Sequence, residues 1–257
     1  LEALTAVKTA VSANYSAGDR ITYALSLVNT GTAAITDYTV TDNLGGYTVG
    51  ANTVYPLAYN AGTVRYYING VLQAAPTVTA GPPLTVTGLT VPAGGSAVLI
   101  YETTATPVAP LATGSSITNT ATITGAGLTN PITAQATVET ANSADLTISK
   151  ALSPTTVTEN GQITYTFVIS NTGNTEATAT GNVVVTDTFA PILRNIAVTY
   201  NGTAWTEGTN YTYNAATGVF TTLAGQITVP AASFTQNTDG TFTVTPGTAT
   251  LVITGTV

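Results

Sequence analysis

Residues 21–28 read Ile-Thr-Tyr-Ala-Leu-Ser-Leu-Val, and residues 163–170 read Ile-Thr-Tyr-Thr-Phe-Val-Ile-Ser. In both, large apolar side chains alternate with smaller or hydroxylated ones: Ile21, Tyr23, Leu25 and Leu27, then Ile163, Tyr165, Phe167 and Ile169. A period of two places each set on one face of a β-strand, and no comparable helical stripe appears elsewhere. The two stretches belong to a longer repeat. Leu4–Lys8 (Leu-Thr-Ala-Val-Lys) returns as Leu146–Lys150 (Leu-Thr-Ile-Ser-Lys), and Asn29-Thr30-Gly31 returns as Asn171-Thr172-Gly173, all displaced by 142 positions. Val40-Thr41-Asp42 then matches Val185-Thr186-Asp187, Asn69-Gly70 matches Asn201-Gly202, and Val91-Pro92-Ala93 matches Val229-Pro230-Ala231, at the shifting offsets that loop insertions produce.

Turn signals separate these strand patterns at Asn29–Gly31, Gly45-Gly46, Asn69-Gly70 and Gly94-Gly95, and Asn-Gly is the favoured type I′ hairpin turn. Many short strands with such spacing predict an all-β chain of two tandem immunoglobulin-like antiparallel β-sandwich domains. The expected division is 1–142 and 143–257, with the boundary in the small-residue stretch Thr140–Ala144.

Composition narrows the function. The 257 residues contain neither Cys nor His, which removes the Ser-His-Asp triad, the thiol nucleophile and the ordinary zinc site, so no enzyme activity, metal or cofactor is expected. Five Lys plus Arg against twelve Asp plus Glu, a net charge of -7, exclude a nucleic-acid surface, because that affinity comes from clustered cations. No apolar run approaches a membrane span. Charged residues are only 7% of the chain; roughly a fifth is Thr, so hydroxyls supply much of the polar surface. The start Leu1-Glu2-Ala3, without an initiator Met or a signal-like stretch, reads as a mature or excised segment.

Against that background the polar residues on the core phase stand out. Lys8 shares a strand face with Leu4 and Ala6, and Lys150 with Leu146 and Ile148, so both ammonium groups are expected to point inward. A buried cation needs a partner, and Asp42, in phase with Tyr38 and Val40, and Asp187, in phase with Val185, supply one per repeat. Asn119 lies in phase with Ile117, Ala121 and Ile123. One account is an intramolecular isopeptide bond: a desolvated, neutral Lys8 amine attacks the Asn119 carboxamide, with Asp42 as proton shuttle and ammonia as leaving group. Glu102 could take the shuttle role, but its counterpart near Thr254 is not acidic. The other accounts are a buried Lys8–Asp42 ion pair hydrogen-bonded to Asn119, and a Lys8 that snorkels to the sandwich edge.

The same residues, Lys8, Gly18 with Ile21–Tyr23, Asn29–Gly31, Val40–Asp42 and Ile117–Ala121 (Ile-Thr-Asn-Thr-Ala), resemble the bacterial and archaeal surface-protein repeat known as domain of unknown function eleven. The match covers nearly all of residues 1–140 and about three quarters of a second module. Members of that family are immunoglobulin-like modules strung along large secreted or wall-attached proteins, and some are similar to isopeptide-forming pilin and adhesin domains. The resemblance implies a Lys8–Asn119 crosslink assisted by Asp42, with Lys150 and Asp187 as the second-repeat equivalents. It departs from the pattern at the end of the chain. Pro246–Ile253 aligns with the region around Gly94–Tyr101, which leaves no equivalent of Asn119; a second alignment, Thr248–Thr250 on Thr120–Thr122, places the unreactive Gly247 at the acceptor position. The second domain is therefore expected to lack its last strands and its crosslink acceptor, and two accounts of the open edge stand: the segment is cut from a longer chain, or a strand from a neighbouring subunit completes the sheet.

The expected function is a non-enzymatic, extracellular structural module of a cell-surface protein or filament, with neighbouring repeats or copies of the same protein as partners. The alternative is an adhesin or glycan-binding module that holds a glycan or host surface ligand on an aromatic platform of Trp205, Tyr211 and Tyr213, beside the Asn201-Gly202 turn. Triplets at Asn14–Ser16, Asn201–Thr203 and Asn210–Thr212 fit the N-glycosylation pattern, which arises often by chance in a Thr-rich chain, and no run of calcium ligands occurs.

Overall fold

The structure is a computed structural model that describes residues 3–257. Leu1 and Glu2, on which the reading of an excised segment rests, lie outside the described residues.

In chain order the strands are β1 (Leu4–Ala10), β2 (Asn14–Tyr15), β3 (Arg20–Asn29), β4 (Ile35–Asp42), β5 (Tyr47–Val49), β6 (Asn52–Val54), β7 (Leu57–Tyr59), β8 (Arg65–Ile68), β9 (Val71–Leu72), β10 (Thr77–Thr79), β11 (Leu84–Val91), β12 (Ser96–Ala105), β13 (Ser116–Thr124) and β14 (Ile132–Thr140). They continue as β15 (Leu146–Ser153), β16 (Gln162–Asn171), β17 (Thr186–Thr188), β18 (Arg194–Tyr200), β19 (Thr203–Ala204), β20 (Tyr211–Asn214), β21 (Val219–Thr222), β22 (Ser233–Gln236), β23 (Phe242–Thr245) and β24 (Gly247–Thr256). Among the described residues the one helical element is a short 3-10 turn, Ala179–Gly181.

Two compact units result. The first holds the described residues up to Ala141 together with Thr235–Thr243; the second holds Asn142–Phe234 and Val244–Val257. A division at 142/143 assigns Thr235–Thr243 to the second repeat, whereas these residues group with the first, where Gln236 Nε2 donates to the Tyr47 hydroxyl at 2.8 Å.

The first unit is a sandwich of two six-stranded sheets. One runs β1-β3-β12-β8-β9, with β7 also paired to β12; the other runs β10-β11-β4-β13-β14-β2. Ile21, Tyr23, Leu25 and Leu27 are all buried, as period two requires, and meet Tyr38, Val40, Val86, Leu89, Ala121 and Ile123 in one core. The second unit repeats the first sheet as β15-β16-β24-β18-β19, with Ile163, Tyr165, Phe167 and Ile169 turned into its core.

Registers establish the correspondence. Leu99 of β12 sits opposite Leu25 of β3, and Leu251 of β24 sits opposite Phe167 of β16, so β24 is the counterpart of β12. Facing it, among the described residues, is the three-stranded sheet β17-β21-β20, matching β4-β11-β10. The strands that would correspond to β13 and β14 are absent from this unit among the described residues, and one edge of β17 is unpaired.

The Asn-Thr-Gly motif shared by the repeats is more than a turn signal. Asn29 is buried; its Nδ2 donates to the carbonyls of Ala33 and Val91, and its Oδ1 accepts from Gly31 N–H. Asn171 does the same with Thr175, Pro230 and Gly173. Gly is required in the third position because a Cβ at Gly31 would stand 2.8 Å from Ala3 Cβ, and one at Gly173 would stand 2.1 Å from the Ser143 carbonyl.

Candidate functional site

Alternation along β1 turns Lys8 into the first sandwich, between the aromatic rings of two neighbours in its own sheet. Its Nζ stands 4.8 Å from the ring centroid of Tyr23 and 5.4 Å from that of Tyr101. The facing sheet supplies Asp42 from the end of β4 and Asn119 from β13. Asp42 lies opposite Ala121 in the β4–β13 ladder, so Asn119, two residues from Ala121, is its diagonal neighbour on the same face.

Within this chamber Lys8 Nζ donates to Asp42 Oδ2 at 2.6 Å and to the Tyr101 hydroxyl at 2.8 Å, and that hydroxyl donates to Asp42 Oδ2. The other carboxylate oxygen, Oδ1, accepts from Leu44 N–H at 2.7 Å. Oδ1 is thus tethered to the backbone, and Oδ2 is the oxygen that faces the amine. The Lys8 and Asp42 side chains are 0% and 1% exposed. Burial lowers the Lys8 pKa, opposed by the charge and hydrogen bond of Asp42. Burial, and then the Asp42 charge, holds the Tyr101 phenol well above its ordinary range.

Asn119 is fully buried, and neither its Oδ1 nor its Nδ2 has a hydrogen-bond partner. The Tyr23 hydroxyl is likewise buried and unpartnered. The carboxamide lies close enough to damp the upward shift that burial gives the Tyr23 phenol, yet the two groups do not reach hydrogen-bonding geometry. An ion pair hydrogen-bonded to Asn119 is therefore not what the chamber contains, and a snorkelling Lys8 is excluded by its burial. Leaving a buried amide unsatisfied costs about 1–3 kcal/mol per group, so an orphaned carboxamide beside a desolvated amine calls for a chemical reason.

Glu102 lies outside the chamber. Its carboxylate accepts from Asn60 Nδ2 at 2.9 Å and stands 3.5 Å from Arg20. Sequence reasoning missed the contributions of Tyr23 and Tyr101. Tyr101 falls on the buried alternation of β12 with Ala97 and Leu99, and a phenol on a core phase opposite two other inward polar groups was the available signal.

The second unit keeps half of this arrangement. Lys150 Nζ stands 2.6 Å from Asp187 Oδ2 and 4.8 Å from the Tyr165 ring centroid. The expectation that this pair points into a closed core is corrected: the side chains are 40% and 19% exposed, because among the described residues no strand occupies the place that β13 and β14 hold over Lys8. Ile253 stands where the first unit has Tyr101, opposite Tyr165 as Tyr101 is opposite Tyr23.

The expected aromatic platform is also corrected. Trp205 stacks on Tyr200 of β18, with centroids 4.8 Å apart. Tyr211 is buried against Phe220, and Tyr213 packs near Phe189 while exchanging hydrogen bonds with the Leu193 backbone. Each ring is engaged in packing its own hairpin or sheet, which is where apolar strand residues gain most. Among the described residues no three acidic, His or Cys side chains gather into a metal site, and no helix is long and apolar enough to cross a membrane.

No family model matches the chain, and no curated protein matches it. The family resemblance carried by Lys8, Val40–Asp42 and Ile117–Ala121 therefore stands on those residues alone. Solved structures are similar to this chain at low identity. The major pilin subunit of Bacillus cereus is 14% identical with a TM-score of 0.40, over 96% of this chain and 66% of that one. The pilus backbone of Streptococcus pneumoniae is 14% identical at 0.38, over 95% and 55%. The N-terminal domain of a Streptococcus gordonii adhesin is 15% identical at 0.41, over 53% and 32%. This chain thus spans less than two thirds of the length of each of these structures.

Proposed function

We propose that the chain is a structural module of an extracellular surface protein or filament, joined to neighbouring repeats or copies of itself, and that its first sandwich is locked by an amide bond between Lys8 and Asn119. The observation that carries this reading is the buried Asn119 carboxamide, unpartnered at both polar atoms beside the Lys8–Asp42 pair.

The chemistry needs only groups already in the chamber. Burial lowers the Lys8 pKa and so favours its neutral amine, and Asp42 Oδ2, 2.6 Å from Nζ, is placed to take the proton. The Nζ lone pair attacks Asn119 Cγ while the acid protonates the carboxamide. The Cγ–Nδ2 bond breaks, ammonia carries the proton away, and Asp42 accepts the proton that Nζ sheds as the Nζ–Cγ bond closes. The reaction occurs once and joins the two sheets, since Lys8 belongs to one and Asn119 to the other. A pull that separates the sheets then meets a covalent bond.

Intact mass of the denatured chain tests this. Loss of ammonia lowers the mass by about 17 Da, and the deficit is expected to map to a peptide pair containing Lys8 and Asn119. Asn119→Ala and Asp42→Ala are expected to abolish the deficit. A denatured wild-type chain of full calculated mass sinks the proposal.

A further inference from the structure

Among the described residues, every buried side-chain atom of the first unit that lacks a hydrogen-bond partner lies in one chamber: Asn119 Oδ1, Asn119 Nδ2 and the Tyr23 hydroxyl. The other polar groups there are engaged with one another. Lys8 Nζ donates to Asp42 and to the Tyr101 hydroxyl, Tyr101 donates to Asp42 Oδ2, and Asp42 Oδ1 accepts from Leu44 N–H. Tyr23 and Tyr101 sit opposite each other in the β3–β12 ladder, and their ring centroids lie 4.8 and 5.4 Å from Lys8 Nζ. Of these two phenols only Tyr101 has its hydroxyl paired. Tyr23 is fully buried, with its hydroxyl close to the Asn119 carboxamide.

A buried donor without an acceptor weakens a fold, and packing does not require it, since a phenylalanine supplies the same ring. Such a donor becomes useful where an acceptor strengthens during a reaction. Attack of Lys8 Nζ on Asn119 Cγ pushes the carbonyl π electrons onto Oδ1, and the tetrahedral Cγ swings that oxygen out of the amide plane. Asp42 has one proton to deliver, and the leaving Nδ2 needs it. Tyr101 and Leu44 N–H are committed to Asp42. The Tyr23 hydroxyl is the donor with no other claim on it. A hydrogen bond absent from the ground state and made in the transition state lowers the barrier, whereas one of equal strength in both states does not.

We infer that the Tyr23 hydroxyl is a catalytic group of the Lys8–Asn119 closure, the donor that holds the Oδ1 oxyanion while Asp42 serves the leaving nitrogen. This rests on the amide bond proposed above. The Nζ–Cγ bond forms as Oδ1 gains an electron pair. Oδ1 then returns the pair, the Cγ–Nδ2 bond breaks with the Asp42 proton on Nδ2, and Nζ gives a proton back to Asp42. Tyr23 donates a hydrogen bond and keeps its own proton. Burial raises the pKa of its phenol, which keeps that proton on oxygen at neutral pH.

The test follows the full chain as it folds after cell-free synthesis. Samples are quenched in denaturing acid at intervals, and the fraction lighter by one ammonia, about 17 Da, is read by mass. Tyr23→Phe keeps the ring and is expected to close the bond roughly a hundredfold more slowly than wild type, the effect of losing one oxyanion donor. Stability is measured separately, by denaturant unfolding of Asn119→Ala with and without Tyr23→Phe, since neither chain can close the bond. The double variant is expected to be at least as stable as the single one, because the hydroxyl has no partner to lose. Closure of Tyr23→Phe at the wild-type rate overturns the inference and leaves the Lys8–Asn119 bond standing. Slower closure together with a less stable double variant also overturns it, because the hydroxyl then acts through the fold. A wild-type chain of full mass at every time point removes the bond itself, and this inference with it.

Discussion

Lys8–Asp42 and Lys150–Asp187 are the same ion pair in two surroundings. Both are separated by 2.6 Å, both lysines lie 4.8 Å from a tyrosine ring, and both come from the same positions of the repeat. One is sealed at 0% and 1% exposure, while the other is open at 40% and 19%. The difference teaches that strand phase sets the pairing, whereas exclusion of solvent comes from what covers it. Burial lowers the pKa of the sealed Lys8 amine, opposed by the charge and hydrogen bond of Asp42.

The comparison breaks most visibly if the two pairs contribute alike to stability. The proposed Lys8–Asn119 link would close a loop of more than a hundred residues, so by analogy with a disulfide Asn119→Ala is expected to destabilise the first unit by about 4–5 kcal/mol. Lys150→Ala, removing a half-exposed ion pair, is expected to cost the second unit about 0–1 kcal/mol. Denaturant unfolding of each variant, followed by hydrogen exchange in each unit, measures both. Equal losses would show that the covered and open pairs do the same work.

Alkaline titration sharpens the contrast next. Burial raises the pKa of Tyr15 and Tyr66 to about 12, and raises those of Tyr23, Tyr38 and Tyr101 further. In the second unit Tyr211 and Tyr213 are raised more modestly. A phenol whose folded pKa exceeds its unfolded value binds protons more tightly when folded. Its stabilisation is complete below the ordinary pKa of 10.0 and is lost as pH climbs from there toward the folded value. Above pH 10 the first unit is expected to lose stability faster than the second, and tyrosinate absorbance should appear cooperatively with unfolding. Stepwise ionisation of all tyrosines in a still-folded first unit would contradict the packing described.

Within the first chamber a smaller effect than that of Asn119 belongs to Tyr101. Tyr101→Phe deletes the hydroxyl that bridges Lys8 and Asp42 but leaves the ring, so about 1–2 kcal/mol of the uncrosslinked state is at stake. The crosslink is expected to form more slowly and still reach completion, as followed by mass during refolding. An unchanged rate would reduce the phenol to packing.

Much of this was legible because β-structure writes itself in alternation. Ile21, Tyr23, Leu25 and Leu27 reveal their face without reference to any other strand, and the same counting turned Lys8, Asp42 and Asn119 inward. The part that alternation could not convey was contact across the sandwich. Tyr101 lies 93 residues from Lys8, and its hydroxyl reaches the pair only because β12 and β1 flank β3. Two alignments of the last strand also read equally well until pairing with β16 put Leu251 opposite Phe167. The aromatic cluster misled for a related reason: Trp205, Tyr211 and Tyr213 are neighbours in sequence, yet their rings pack against Tyr200, Phe220 and Phe189.

By itself the sequence determined the β class, the inward phase of Lys8 and Asp42, and the place of Asn119, because each follows from residue spacing along one strand. Tertiary structure alone decided which pair is dry, which hydroxyl bridges it, that Asn119 is left without a partner, and that Lys150 stands open. Those properties are set by strands distant in the chain that cover or fail to cover a face, and solvent exclusion is a property of the packed sheets rather than of any one strand.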